Sequence, residues 1–414
     1  MRAGRTIAFP RMIRDQKNVH QEDAGSVPEA IMMLGVMQSI VILVPAGLAS
    51  LLIAWFTTRR LISTSGRLRT LDIPNHRSSH SKPTPRTGGL GIALASTLIL
   101  PVLTLFLPTL PNVANPLFTV SFWLVMLGYV TIAAVGLIDD VKQIGPLPKY
   151  LGQFLAALIA ILAGVIFLQL DLPLIGRIEF TSFGFLGSFT GIVLTVVWLT
   201  GFSNIFNFMD GIDGLAAGSG AIQGLALFLL SNPSGWHLGA GYQLSGASSL
   251  MLAAACLGFL VHNFPPARIF MGDVGSLFTG YVLAATAVLM AGTGSHPVPL
   301  VSIMLVFSPF LYDATLTILL RWRRGEKLHE AHRSHLYQRL IASGQSHRRV
   351  TLTYYGLNLI TAGGGLFCRA ATDRSRIAIS VICLTILIGF TIYVYWFEAR
   401  AGRLRPTAPI ATKV

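Results

Sequence analysis

Between residues 87 and 320 the chain carries only eight carboxylates: Asp139, Asp140, Asp171, Glu179, Asp210, Asp213, Asp273 and Asp313. A charge in the hydrocarbon of a bilayer costs about 2.5–3.5 kcal/mol on insertion scales, so acids in apolar segments are rare and tend to serve function. Asp139, Asp140, Asp210, Asp213 and Asp273 stand at the ends of apolar runs. Gathered on one face, five carboxylates repel unless cations or donors are interleaved. Mg²⁺ answers that need, taking one or two carboxylates and completing its shell with substrate phosphate and water. The competing role is helix capping or turn formation. For Asp273, within Gly272-Asp273-Val274-Gly275-Ser276 at the start of an apolar run, capping is as good an account as metal binding. For Asp139-Asp140, which close such a run, capping is a poor account, because a helix C-terminus disfavours negative charge. Asp313 lies inside a run, where a local hydrogen bond suffices to explain it.

The run Asn204-Ile205-Phe206-Asn207-Phe208-Met209-Asp210-Gly211-Ile212-Asp213-Gly214 places a polar group at every third residue. Residues three apart share adjoining parts of one helix face, and Gly211 and Gly214 break the helix and let backbone approach a ligand. Two basic loops complete the set. The first runs from Asp72 through Lys82 and Arg86 into Gly88-Gly89-Leu90-Gly91, and glycines at a helix start suit phosphate or close helix packing. The second spans Arg321 to Arg349 and contains His332-Arg333-Ser334-His335. No acid stands beside these histidines in a zinc arrangement, so phosphate contact fits them better. Arg321, Arg323 and Arg324 read as solvated charge beside a membrane.

The elements that must position these groups are apolar. Hydrophobic residues make up 53% of the 414 and charged residues 12%, and mean hydropathy is +0.64. Eleven apolar segments are expected to cross a membrane, at 32–56, 88–108, 117–138, 150–170, 186–208, 214–231, 244–261, 275–293, 298–320, 352–367 and 377–396. The expected fold class is therefore all-α, a polytopic transmembrane bundle. With the N-terminus outside and the C-terminus inside, the inner loops hold 22 of the 31 Lys and Arg residues, as the bias of basic residues toward the cytoplasm demands. That choice places all five end-standing aspartates on the inner face. The net charge of +14 then reflects topology and anionic partners rather than nucleic acid. Residues 1–31 read as a polar leader, with Met32 and Met33 as alternative starts, 32–400 as one transmembrane domain and 401–414 as an inner tail. Cys256, Cys368 and Cys383 have no paired spacing and read as core filling.

Five motifs stand together in order: Pro83-Thr84-Pro85-Arg86 with its glycines, Asp139-Asp140, the Asn204–Gly214 run, Phe270-Met271-Gly272-Asp273-Val274-Gly275-Ser276, and His332-Arg333-Ser334-His335. Over residues 32–400 the chain resembles the polyprenyl-phosphate N-acetylhexosamine-1-phosphate transferases, glycosyltransferase family 4. The resemblance implies transfer of a sugar 1-phosphate from a UDP-sugar to undecaprenyl phosphate in a bacterial inner membrane, releasing UMP and starting a lipid-linked envelope glycan. It implies Mg²⁺, with Mn²⁺ as a substitute, held by Asp273 and Asp140. Asp139, Asp140, Asp210 and Asp213 then form the catalytic set, and Asn204, Asn207, Lys82, Arg86, His332, Arg333 and His335 bind substrate. A homodimer is left open. The His332 loop departs from the three consecutive histidines of the peptidoglycan translocase, and the Arg77-Ser78-Ser79-His80 segment sits closer to the O-antigen-initiating branch, favouring N-acetylglucosamine or a 6-deoxy-N-acetylhexosamine. The alternative is an ion-coupled secondary transporter, whose acids should lie nearer mid-bilayer. A CDP-alcohol phosphatidyltransferase is disfavoured because Asp210-Gly211 lacks that family's following motif.

Overall fold

The computed structural model describes residues 29–68, 71–72, 83–106, 119–231, 240–293, 297–327 and 333–402. Among them are eleven helices of sixteen residues or more: α1 (Glu29–Leu68), α2 (Leu90–Phe106), α3 (Val120–Lys142), α4 (Pro146–Leu162), α5 (Gly184–Phe208), α6 (Leu215–Leu230), α7 (Ala240–Asn263), α8 (Gly272–Gly292), α9 (Leu300–Arg323), α11 (His347–Ala370) and α12 (Asp373–Arg400). A seven-residue helix, α10 (Leu336–Ala342), lies between α9 and α11. Each expected segment overlaps one long helix. Among the described residues seven spans are long and apolar enough to cross a membrane, in α1, α3, α5 with the turn before it, α7, α8, α9 and α12, while α2, α4 and α6 are shorter apolar helices. The chain is an all-α, multi-pass membrane protein.

The bundle is organised around α8, which packs against α2, α3, α5, α6, α7 and α9. Of its apolar window 94% is buried, against 22% for the windows in α1, α5 and α12. The outer helices instead turn large apolar side chains outward, among them Val130, Val197 and Ile392, as a lipid-facing surface requires. Small residues allow close approach to α8: a Cβ on Gly89 would lie 2.1 Å from the Cα of Gly275. Tyr281 of α8 donates its hydroxyl to the carbonyl of Ala156 on α4 at 2.7 Å, and the Trp198 indole of α5 donates to the carbonyl of Ala284 at 3.2 Å. Cys256, Cys368 and Cys383 are free and buried, as expected of core filling.

The fourth segment departs from the hydropathy reading. Expected at 150–170, the helix stops at Leu162, and the chain turns through Gly164 at φ 88°. Residues 169–172 (β3) then pair antiparallel with 176–179 (β4). Alternation in Gln169-Leu170-Asp171-Leu172 was the available signal, hidden because the run is as apolar as the helix before it. A two-residue pairing also joins Leu71–Asp72 (β1) to Thr84–Pro85 (β2).

Candidate functional site

Asp140 ends α3 yet caps α8. Its Oδ1 accepts the amide of Asp273 at 2.9 Å and its Oδ2 the amide of Val274 at 3.0 Å. These are orphan donors of the first turn of α8, which has no side-chain cap of its own. Capping is thus available to an acid at a helix C-terminus when it serves a different helix. The turn before α8 needs Gly272, at φ 69°, where a Cβ would fall 2.0 Å from the Arg86 carbonyl and 2.6 Å from Asp140 Oδ2.

Arg86 serves the opposite end. Its Nε donates to the carbonyl of Asp140 at 2.9 Å and its Nη2 to that of Asp139 at 3.2 Å and also to that of Asp140, so a guanidinium closes the negative end of α3. The amides of Gly88 and Gly89 donate to the carbonyls of Phe270 and Met271 at 3.0 and 2.8 Å. They zip the start of α2 onto the start of α8, and the phosphate role open to them from sequence gives way to packing.

With Asp140 and Arg86 so engaged, the groups left facing one another are Asp139, Lys149, Asp273, Asn207 and Asp210. Lys149, on the first turn of α4, bridges Asp139 Oδ2 at 3.3 Å and Asp273 Oδ2. Asn207 at the end of α5 donates to Asp273 Oδ1 at 2.9 Å and to Ser276 Oγ at 2.8 Å. Four helix ends, from α3, α4, α5 and α8, therefore converge. Asp210, on the turn between α5 and α6, accepts no hydrogen bond and joins no ion pair among the described residues. Burial first, then repulsion from Asp273, Asp140 and Asp213, holds its carboxyl well above the usual carboxylate range.

The remaining expected residues are placed as follows. Asn204 exchanges hydrogen bonds with Gln153 of α4 and donates to the Thr200 carbonyl at 2.8 Å. Asp213 accepts the Ala267 amide at 3.0 Å and lies 3.3 Å from His347 Nδ1, tying the α5–α6 turn to the α7–α8 connection and to α11. Arg333 is exposed, and His335 is buried against Asp313, its Nδ1 3.2 Å from Oδ1. Asp313 is hydrogen-bonded, as expected. Lys82 and His332 lie outside the described residues. Arg321 does not fit the expectation of a solvated charge: its side chain is 5% exposed and donates to Glu326 at 2.9 Å. Arg323 and Arg324 are exposed as expected.

Sequence reasoning missed Lys149, Gln153 and His347. By sequence Lys149 is one of the 22 basic residues of the inner loops, in the loop 139–149. The available signal was its position one turn into a helix that begins four residues after Lys142, so that it points back to the acid pair.

A divalent cation fits this donor set. Two carboxylates, Asp139 and Asp273, share the Lys149 ammonium, and a third, Asp210, has no donor among the described residues. No group of three His, Cys, Asp or Glu side chains among the described residues is already converged as a metal shell.

The fold and site define a multi-pass membrane protein in which Asp139, Lys149, Asn207 and Asp273 meet from the ends of four helices. The family described as glycosyl transferase family 4 matches residues 122–291. The chain is 35% identical over 329 residues to the decaprenyl-phosphate N-acetylglucosaminephosphotransferase of Mycobacterium tuberculosis (strain CDC 1551 / Oshkosh), spanning 75% of this chain and 78% of the relative. It is 30% identical over 349 residues to the probable undecaprenyl-phosphate N-acetylglucosaminyl 1-phosphate transferase of Bacillus subtilis (strain 168), spanning 84% and 90%. To the phospho-N-acetylmuramoyl-pentapeptide-transferase of Staphylococcus aureus (strain MSSA476) it is 29% identical over 299 residues, spanning 70% and 87%. The chain belongs to glycosyl transferase family 4, the polyprenyl-phosphate N-acetylhexosamine-1-phosphate transferases. Nothing in these likenesses supports the carrier alternative.

Proposed function

We propose that this protein transfers an N-acetylhexosamine 1-phosphate, with N-acetylglucosamine 1-phosphate as the first choice, from its UDP-sugar to a polyprenyl phosphate. The observation that carries the proposal is the convergence of Asp139, Lys149, Asn207 and Asp273 from four helix ends, in a chain of this family. An oxygen of the lipid phosphate attacks the sugar-bearing phosphorus. The bond from that phosphorus to the bridging oxygen breaks, and UMP leaves with the electron pair. A phosphate monoester has its second pKa near 6, so the acceptor is largely dianionic at neutral pH and needs orientation more than deprotonation. We therefore favour direct attack over a phosphorylated enzyme.

Lys149 is placed to hold a phosphate oxygen once it leaves its carboxylate bridge, and Asn207 fixes the orientation of Asp273. Asp273 and Asp210 are the fitting metal ligands, with Asp139 beside them; Asp140, the other ligand expected from sequence, has both oxygens on α8 amides. Bound there, Mg²⁺ or Mn²⁺ supplies neutralisation of the diphosphate charge. The distribution of basic residues supports eleven crossings, an outer N-terminus and a pocket on the cytoplasmic face of a bacterial inner membrane. That placement lets a soluble nucleotide sugar meet a membrane-held acceptor.

The test incubates the purified protein with Mg²⁺, a polyprenyl phosphate and a panel of UDP-sugars, and measures UMP. Release with at least one N-acetylhexosamine donor, lost in Asp273→Asn, is expected. UMP release with none of them overturns the proposal.

A further inference from the structure

Asp313 lies mid-way along α9, its side chain only 1% exposed. Its Oδ1 accepts the amide of Leu336 at 2.9 Å, the Thr317 hydroxyl at 3.2 Å and the ring Nδ1–H of His335 at 3.2 Å. Its Oδ2 accepts the hydroxyl of Tyr354, on α11, at 2.5 Å. One buried carboxylate thus gathers donors from α9, α10 and α11. A buried charge is seldom the cheapest way to pack three helices, since apolar side chains of similar volume are often neutral or better. Its retention has to be sought in what it aligns.

What it aligns leads to the pocket. Leu336 opens α10, and the next residue, Tyr337, is fully buried and donates its hydroxyl to the carbonyl of Phe208 at 2.8 Å, where α5 ends. The same hydroxyl occupies the space beside Gly211, where a Cβ would lie 2.0 Å from it. Asp210 stands between these two contacts. Further along α10, Arg339 forms a two-pronged pair with Glu398 of α12 and stacks its guanidinium on Tyr395, 4.0 Å from the ring centre. The helix is therefore anchored at its first residue and again at its middle, and Tyr337 between these anchors braces the Asp210 turn.

We propose that Asp313 is a positioning residue of the transfer reaction: it fixes His335 and the first amide of α10, and through Tyr337 sets the turn that carries Asp210. His335 then acts as part of this brace, and the substrate-facing role of its loop falls to residues before it, Arg333 among those described. The kinetic consequence rests on the transferase reading; the placement of α10 does not.

The test is hydrogen exchange followed by mass spectrometry on the full detergent-solubilised protein, with kinetics on the same preparations. In Asp313→Ala, amides of 333–342 are expected to exchange about 10–100-fold faster, the scale set by losing hydrogen bonds to a charged group, while α8 peptides are unchanged. Asp313→Asn keeps an oxygen for Leu336 and can donate to Tyr354, whose hydroxyl also accepts, so it is expected to restore most of the protection. In the Ala variant kcat for UMP release falls about 10²-fold, the cost of an ångström-scale misplacement, with KM for the lipid acceptor unmoved, and the Asn variant recovers most of the loss. Unchanged exchange at 333–342 in Asp313→Ala overturns the inference. So does equal acceleration in α8 and α11, or an Asn variant no better than Ala. If exchange behaves as expected while the wild-type protein releases no UMP, the brace stands and the transferase reading falls.

Discussion

Asp140 and Asp273 are joined through the backbone: the carboxylate of the first accepts the amide of the second at 2.9 Å. The acid that ends α3 thereby sets where α8 begins, and the side chain of Asp273 leaves that anchored turn toward Lys149 and Asn207.

This arrangement separates two aspartates that are adjacent in sequence. Asp140→Ala removes the cap of α8 and leaves two amides without their acceptor, an expected loss of about 1–3 kcal/mol, together with loss of activity. Asp139→Asn should cost activity with little change in stability, since among the described residues the Asp139 side chain meets only Lys149 and its neighbouring charges. Thermal midpoints of both variants in detergent, read by intrinsic fluorescence, check this; equal midpoints for Asp140→Ala and wild type would contradict it.

Lys149 is expected to matter as a charge at a fixed place. Lys149→Ala should lower kcat about 10²–10³-fold, the range seen when one preorganised group serving developing charge is removed. Lys149→Arg should restore little, because a planar fork does not reproduce a compact ammonium between two carboxylates. UMP release at saturating donor and acceptor measures both, and near wild-type turnover of Lys149→Ala excludes this role.

Asp210 should trade stability for function. Its carboxyl holds its proton more tightly in the folded protein than the ordinary value of 3.8 allows, so the native state binds more protons than the unfolded state just above that value. Stability of metal-free protein is then lost as pH rises through the folded titration, and the penalty persists above it. Asp210→Asn carries no such penalty. In EDTA its thermal midpoint should match wild type near pH 4 and exceed it near pH 8, while UMP release with Mg²⁺ falls at least about 10²-fold. A midpoint advantage that shrinks with rising pH would show the sign to be wrong.

Sidedness is open to chemical labelling. Cysteines placed at the exposed positions Gln143 and Arg324 should react with an impermeant maleimide only from the cytoplasm, and one at Arg177, on β4, only from outside. Labelling of Gln143 and Arg177 positions from the same side would break the proposed orientation.

How much of this was legible beforehand depended on the range of each interaction. Helices were readable because lipid-facing segments such as α3 and α12 must be apolar along their whole length. The hairpin of β3 and β4 was not, because Phe167–Leu172 continues the apolar composition of α4. The motifs located Asp139, Asp210 and Asp273 correctly at helix ends, yet which acid does what was hidden. Asp140 is a cap only because α8 arrives beside it, 133 residues later in the chain, and no local rule for a C-terminal turn anticipates a partner of that kind. Asp313 could be read as hydrogen-bonded, but its main partners stand 22 to 41 residues away. Lys149 was counted for its charge and not its position.

The most direct measurement of the central claim is electron paramagnetic resonance of Mn²⁺ titrated into the purified protein with a UDP-N-acetylhexosamine present. A tightly held ion is expected in the wild type, weakened at least about tenfold by Asp273→Asn and by Asp210→Asn, and unaffected by Arg177→Ala on the far hairpin. Mn²⁺ binding that is identical in wild type, Asp273→Asn and Asp210→Asn would place the metal elsewhere and contradict the pocket described.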